Sequence, residues 1–232
     1  MVQEKIWEKE YRNPKLVTGH DKPQSVFLKF LKWYKKYLKI HGSKASVDLG
    51  GLKVLDLGSG TGRNANYLAK KRADVFGMEI SQTAIDTAKT RAGNLGVKYI
   101  KQSIGEKYPF ENEYFDLVID ITSSNSLDEK ERETYLLEVN RVLKKDGIFF
   151  VRALCKDGDK NAQFLLKNNP AKEKDTYIMP ETGLVERVFS KNDFVEMYSK
   201  YFKILDMEKT ESYSTVNGRV FKRKFWLVTM QK

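Results

Sequence analysis

The segment VLDLGSGTGRN, residues 54–64, places Gly58, Gly60 and Gly62 at alternate positions, with Ser59 and Asn64 among them. Glycines let a backbone turn sharply and let a ligand approach peptide groups with no Cβ in the way. A helix starting after such a turn offers free N–H groups. The spacing is G-x-G-x-G, not the G-x-G-x-x-G of dinucleotide binders. Asp56 stands two residues before the first glycine, inside an apolar run. A buried charge is costly unless paired, so Asp56 must accept from loop amides or face a ligand cation. Glu79 closes the next apolar run, in GMEIS, where an acid can accept from both hydroxyls of a ribose. Asp120 closes another, in DLVID.

The elements that position these residues follow from periodicity. KVLDLGS, DVFGMEI, VKYIKQ and FDLVIDI are short apolar runs and predict four strands. Residues 62–71 predict a helix, and Ser81 caps a second over 82–92 that ends at Gly93. Residues 128–143 predict a third, with Tyr135, Leu136, Val139, Val142 and Leu143 facing inward. Asp146-Gly147 then turns into a fifth strand, IFFVRAL. Residues 155–187 are polar and read as irregular. Ser190 and Asp193 form a capping pair for a helix over 191–201. FKILDMEKT and KRKFWLVTM read as two strands around a hairpin signal at Asn217-Gly218.

Upstream, Phe27, Phe30, Leu31, Tyr34 and Leu38 recur at helical spacing and predict an amphipathic helix, with His41 at its C-terminal end. Repeated strand–helix units imply a parallel sheet with helices on both faces. The expected fold is α/β: a Rossmann-like, seven-stranded, mostly parallel sheet with an antiparallel C-terminal strand. The expected organisation is one domain. Residues 1–50 form a helical cap, 51–154 the ligand-binding half, and 155–232 an insert and strand pair on the far side.

On these motifs the sequence resembles the class I S-adenosylmethionine-dependent methyltransferases. VLDLGSGTGRN is similar to that family's first motif and MEIS to its second. YPFENEYFDLVID and EVNRVLKKDGIFF are similar to the segments around its fourth and fifth strands. The resemblance implies S-adenosylmethionine as cofactor. It implies that Gly58, Gly60 and Gly62, with Ser59 and Asn64 in the same loop, wrap the methionine part, and that Asp56 acts near the amino group. It places Glu79 on the ribose, Ile80 against the adenine, and Asp120 at the methyl end. Ser103 stands where many members carry an aspartate for the adenine amino group; the Ile104 amide or Gln102 can substitute. No general base is identified. His20 is one candidate, and Trp7 and Tyr11 are candidates for a lid.

The resemblance is nearer to small-molecule methyltransferases, loosely the tellurite-resistance and quinone-biosynthesis enzymes, and implies a small-molecule acceptor. DITSSNS replaces the Asp/Asn-Pro-Pro-aromatic tetrapeptide of many amino methyltransferases, and no Pro-Cys pair of the cytosine-carbon type occurs. The alternative acceptor is tRNA or protein, bound by basic flanking segments.

Composition sets the outer bounds. In 232 residues, 41% are hydrophobic and 12% aromatic, which excludes a disordered chain. One cysteine, Cys155, excludes an internal disulfide, and with two histidines leaves no metal cluster in prospect. The net charge of +11 lies on both flanks of a neutral middle, mostly as scattered lysines rather than an arginine cluster. Nucleic acid is therefore a possible but unfavoured partner. No apolar run is long enough to span a bilayer and no secretory signal is visible at the start, so a cytoplasmic location is expected. No feature sets an oligomeric state.

Overall fold

A seven-stranded sheet carries the site. In the computed structural model, which describes residues 2–15, 20–43, 45, 48–216 and 218–232, two helices precede it. These are α1 (Val2–Arg12) and α2 (Ser25–Ile40). Alternation then begins: β1 (Lys53–Leu57), α3 (Arg63–Lys70), β2 (Asp74–Glu79), α4 (Gln82–Ala92), β3 (Lys98–Lys101), β4 (Phe115–Ile121), α5 (Glu129–Val142) and β5 (Leu143–Leu154). After these come α6 (Lys160–Asn168), β6 (Thr176–Ile178), β7 (Val185–Arg187), α7 (Lys191–Tyr198), β8 (Lys203–Val216) and β9 (Arg219–Gln231).

The sheet order is β3-β2-β1-β4-β5-β9-β8. The first five strands pair in parallel, and β9 runs antiparallel to both β5 and β8. The order reverses between β1 and β4, so the carboxyl ends of these strands open a crevice, the usual place for a ligand in such sheets.

Both faces of the sheet are covered. On one, α2 lays Phe27, Phe30, Leu31, Tyr34 and Leu38 over Val54, Leu117 and Phe150. Phe30 stacks on Phe150 with ring centroids 4.1 Å apart. On the other, Tyr135, Leu136, Val139 and Val142 of α5 and Phe194 and Tyr198 of α7 pack on Leu55, Val118 and Phe149. Local signals set the boundaries. Asp128 and Glu131 form a reciprocal capping box at the start of α5. The Ser81 hydroxyl accepts from Ala84 N–H at the start of α4, and Ser190 does the same for Asp193 N–H in α7.

Three expectations need correction. Residues 155–187 are not irregular. Asp159 caps α6 by accepting from Ala162 N–H, and β6 pairs antiparallel with β7. The helix buries only Ala162 and Leu165, too few to give a clear period in the sequence. Strand β5 starts at Leu143 rather than after Gly147, because Leu143 already pairs with Phe115. The register then breaks, and Leu117 meets Ile148. The last helix stops at Tyr198, not 201. Asn217 of the hairpin signal lies outside the described residues. Among the described residues no helix is long and apolar enough to cross a membrane.

Candidate active site

At the carboxyl end of the sheet lies a cavity of about 730 Å³. Its first half is built by β1 and β2. The chain leaves β1 through Gly58, Ser59 and Gly60, all lining the cavity, and Asn64 projects from the first turn of α3. Glu79, at the end of β2, is 5% exposed and pins the loop. Its Oε2 accepts from Gly60 N–H (2.9 Å), and its Oε1 accepts from Ile80 N–H (2.8 Å) and Ser81 N–H (2.9 Å). Burial holds the Glu79 carboxyl above its usual value although these amides pull it down. Ile80, Gln102, Ser103 and Ile104 continue this wall. The Ser103 hydroxyl accepts from Gly105 N–H (3.1 Å), which leaves its proton to donate.

Asp56 is 2% exposed. Ala65 N–H donates to its carboxylate, but Oδ2 has no partner. Burial, together with the nearby charge of Asp120, pushes its pKa up to about 8. Ser59 Oγ and Asn64 Oδ1 are likewise buried without partners. Buried polar atoms are rarely left unpaired, so this ring of orphans marks a place shaped for a polar ligand.

Helix α1 roofs the cavity with Gln3, Trp7 and Tyr11, which share one helix face at i, i+4, i+8. It is tied down along its length, and Glu4 pairs with Lys101 (3.1 Å). The Gln3 side-chain amide donates to Ser126 O and Val185 O (both 3.2 Å). Glu8 accepts from Ser81 Oγ (2.7 Å) and Thr83 Oγ1 (2.6 Å) at the start of α4. Burial alone would raise the Glu8 carboxyl, but these hydrogen bonds and Arg12 bring it down to about 2. The anchor thus holds above the ordinary carboxylate range and is lost only as pH falls toward 2. An added Cβ on Gly60 would sit 2.7 Å from Tyr11 Oη, so glycine there lets the roof close.

The second half is built by β4, β5, β7 and the β8–β9 pair. It presents Ile121, Thr122, Ser123, Arg152, Leu154, Met179, Glu186, Ser212, Arg223 and Phe225. Here Arg223 donates to Asp159 Oδ2 (3.2 Å) and Tyr177 Oη (3.0 Å), and Tyr177 Oη donates to Glu186 Oε2 (2.7 Å).

Of the residues singled out in the sequence, Asp56, Gly58, Ser59, Gly60, Asn64, Glu79, Ile80, Ser103 and Ile104 come together on one wall. Gly62 and Asp120 do not line it. Gly62 has φ +78°, and a Cβ there would meet Tyr99 Oη and Ala88 Cβ, so it serves helix packing. Asp120 is fully buried and faces the following turn. Its Oδ1 accepts from Ser123 N–H (2.9 Å) and from the Ser123 hydroxyl, and its Oδ2 accepts from Tyr135 Oη (2.7 Å). His20, exposed, and the α1 aromatics do line the cavity. Cys155 is buried away from it, its thiol pushed up to about 11 by burial. Phe225 is buried in a hydrophobic cluster with Leu154 and Met179 and also lines the cavity, and Trp226 is core and donates Nε1–H to Phe189 O (2.9 Å). Arg63, Thr122, Arg152, Ser212 and Arg223 were missed. For Arg152 a signal existed: it is a charge inside the buried run IFFVRAL, as Asp56 is inside VLDLG.

A family model described as a methyltransferase domain matches residues 55–151. Over 111 residues the chain is 33% identical to the phthiotriol/phenolphthiotriol dimycocerosates methyltransferase of Mycobacterium tuberculosis; the match covers 47% of this chain and spans 40% of that relative's length. An uncharacterised methyltransferase of Schizosaccharomyces pombe is 31% identical over 140 residues, covering 55% of this chain and 96% of that one. The crystal structure of a SAM-dependent methyltransferase from Methanosarcina mazei matches with a TM-score of 0.69 at 25% identity, covering 78% of this chain and 92% of that chain. The chain belongs to the family of S-adenosylmethionine-dependent methyltransferases.

Proposed function

We propose that the protein transfers a methyl group from S-adenosylmethionine to a small organic acceptor held in the second half of the cavity. The observation that carries this reading is the cavity itself. One continuous space runs from the orphaned polar atoms at β1 and Glu79 at β2 to a separate wall on β4, β5 and β9, roofed by α1. Its volume lies within the ~300–1,000 Å³ of small-molecule sites. The Mycobacterium tuberculosis relative carries phthiotriol/phenolphthiotriol dimycocerosates in its name, and a non-macromolecular acceptor is proposed here by that likeness.

The donor fits the residues present, because an adenosyl group with a sulfonium and a zwitterionic amino-acid tail answers both the buried carboxylates and the unpartnered atoms around the glycine loop. When bound, the donor supplies a methyl carbon already electrophilic at its sulfonium. Glu79 Oε2, which accepts only from Gly60 N–H, has a lone pair left to accept from a ribose hydroxyl. Ile80 lies against the adenine, with Ser103 and the Ile104 amide at its edge. The Gly58–Gly60 loop, Ser59 and Asn64 hold the amino-acid tail, and Asp56 faces its ammonium. The chain's further work is positioning and water exclusion, which α1 performs as a roof.

Asp56 gives this reading a pH signature. A carboxylate pairs with an ammonium only when ionised, and Asp56 ionises at about 8. Affinity for S-adenosylhomocysteine should therefore rise by about twentyfold from pH 6.5 to 8.5, and the rise should vanish in Asp56→Asn. Folding stability moves the opposite way. Asp56 ionises in the folded state far above the ordinary aspartate range, so the folded state holds the extra proton and loses stability as pH climbs toward 8. Titration calorimetry and thermal unfolding read the two effects. A flat affinity profile in the wild type removes Asp56 from the donor site.

The acceptor class is tested by supplying S-adenosylmethionine and following S-adenosylhomocysteine release with separated cell fractions. Turnover is expected with the low-molecular-weight fraction. Turnover confined to the RNA or protein fraction, with binding that falls steeply as salt rises, would establish the macromolecular alternative instead.

A further inference from the structure

We propose that Arg152 is the anchor of the acceptor, and that the acceptor carries a carboxylate. This rests on the methyltransferase reading above and names the substrate class of the same cavity.

Arg152 leaves β5 at its carboxyl end and is 9% exposed, lining the cavity. Among the described residues no carboxylate forms an ion pair with it, and its Nε is buried without a hydrogen-bond partner. Burial first, and then the like charges of Arg63 and Arg223, bring its pKa down to about 9. A guanidinium is normally paired when buried, because leaving an ion unpaired inside a protein costs several kcal/mol. Here the missing partner can only come from the cavity side.

The guanidinium is nonetheless held in place. Nη1 donates to Thr122 Oγ1 (2.9 Å) and Nη2 donates to Ser212 Oγ (3.0 Å). One face is covered by Phe225, whose ring centroid lies 3.4 Å from Cζ. Two neutral hydroxyls orient the group without cancelling its charge. Thr122 supplies its hydroxyl from φ +69°, a left-handed conformation that β-branched residues avoid. Asp120 maintains that strained turn by accepting from Ser123 and Ser124. Strain kept next to an unpaired buried cation is the pattern expected of a binding group.

The nearby acids do not fill the role. Glu186 accepts from Tyr177 and is compensated by Arg223, and Glu131 is engaged in the capping box of α5. Sheet order sets the distance from the donor. Glu79 is on β2 and Arg152 on β5, three strand steps apart, so about 14 Å at ~4.8 Å per step. That span separates the ribose site from a second ligand. Leu154, Met179 and Phe225 beside Arg152 are apolar and suit a hydrocarbon or aromatic body. A planar fork of N–H donors matches a carboxylate bidentately, so a carboxylate on an apolar body is the complementary acceptor.

The test uses the full chain saturated with S-adenosylhomocysteine and ligand-observed NMR with paired probes: benzoate against benzamide, and decanoate against decanamide. Phenyl phosphate provides a third arm. At least one carboxylate is expected to bind about tenfold or more tighter than its amide, worth about 1.4 kcal/mol. Arg152→Gln should erase that preference and Arg152→Lys retain part of it, while affinity for S-adenosylhomocysteine stays within about twofold, which also shows that the variants fold.

Several results would overturn the proposal: equal binding of carboxylate and amide by the wild type, tighter binding of phenyl phosphate, or unchanged preference in Arg152→Gln. A tenfold or greater loss of S-adenosylhomocysteine affinity in the variants would assign Arg152 to the donor instead. Failure of S-adenosylhomocysteine to bind the wild type would overturn the methyltransferase reading beneath it, a result distinguishable from all the others.

Discussion

Glu79→Ala is expected to weaken S-adenosylhomocysteine binding by about a hundredfold while leaving the far-ultraviolet circular dichroism spectrum unchanged. Two causes add. The variant removes the acceptor for a ribose hydroxyl, and a hydrogen bond to a charged group contributes about 1.5–3 kcal/mol. It also frees the amides of Gly60, Ile80 and Ser81, which Glu79 gathers at 2.9, 2.8 and 2.9 Å. Without that clamp the loop loses the geometry that receives the amino-acid tail. Glu79→Gln separates the causes. It keeps a carbonyl acceptor but turns an N–H₂ toward one of the amides, so an intermediate loss is expected. Titration calorimetry reads both variants. An Ala variant that binds within about twofold of wild type would remove Glu79 from the donor site, whatever the family resemblance.

Gly60→Val should abolish detectable binding of the donor and its product. The backbone there has φ +53°, and a Cβ would come 2.7 Å from Tyr11 Oη. Valine at such a φ costs about 1–2 kcal/mol in strain, and its methyls enter the space between loop and roof. For a chain of this size that strain lowers Tm by about 2–8 °C, well short of unfolding. Adding Tyr11→Phe removes the hydroxyl that a Cβ would strike. In Gly60→Ala/Tyr11→Phe the Tm should recover relative to Gly60→Ala, while the contacts of the tail to the loop remain impaired. Normal binding by Gly60→Val would show that the ligand does not approach this peptide, and would move the donor elsewhere in the cavity.

Much of this architecture was legible in the chain. Strand β4 was expected as FDLVIDI and runs from Phe115 to Ile121. The stripe Phe27, Phe30, Leu31, Tyr34, Leu38 is the buried face of α2. Both signals are strong because a parallel strand buried on both faces is a near-continuous apolar run, and a helix on one face must repeat every three to four residues. The glycine loop and Glu79 were legible for a related reason. A turn that a ligand must approach tolerates few residue types, and an acid at the end of a buried strand has few physical excuses.

Elsewhere the chain was silent. The helix α6 has two buried residues, and β6 and β7 are three-residue strands, too short for periodicity to speak. Asp120 and Gly62 shared the motif pattern of the donor site, yet their side-chain space is taken by the turn after β4 and by Tyr99. A pattern of residue types does not say which way a strand end faces.

By itself the sequence determined the alternation of strands and helices from β1 to β5, the apolar face of α2, the caps of α4, α5 and α7 and the glycine turn. Each is a local property, fixed by propensity and by period along the chain. Only the tertiary structure decided what the far half of the cavity contains. Arg152, Thr122, Ser212 and Phe225 come from four strands or turns separated by up to about a hundred residues, and they meet because β9 inserts between β5 and β8. No local signal encodes that meeting. It follows from closing a sheet whose last strand runs antiparallel, which buries the guanidinium at the carboxyl end of β5, where no carboxylate among the described residues pairs with it.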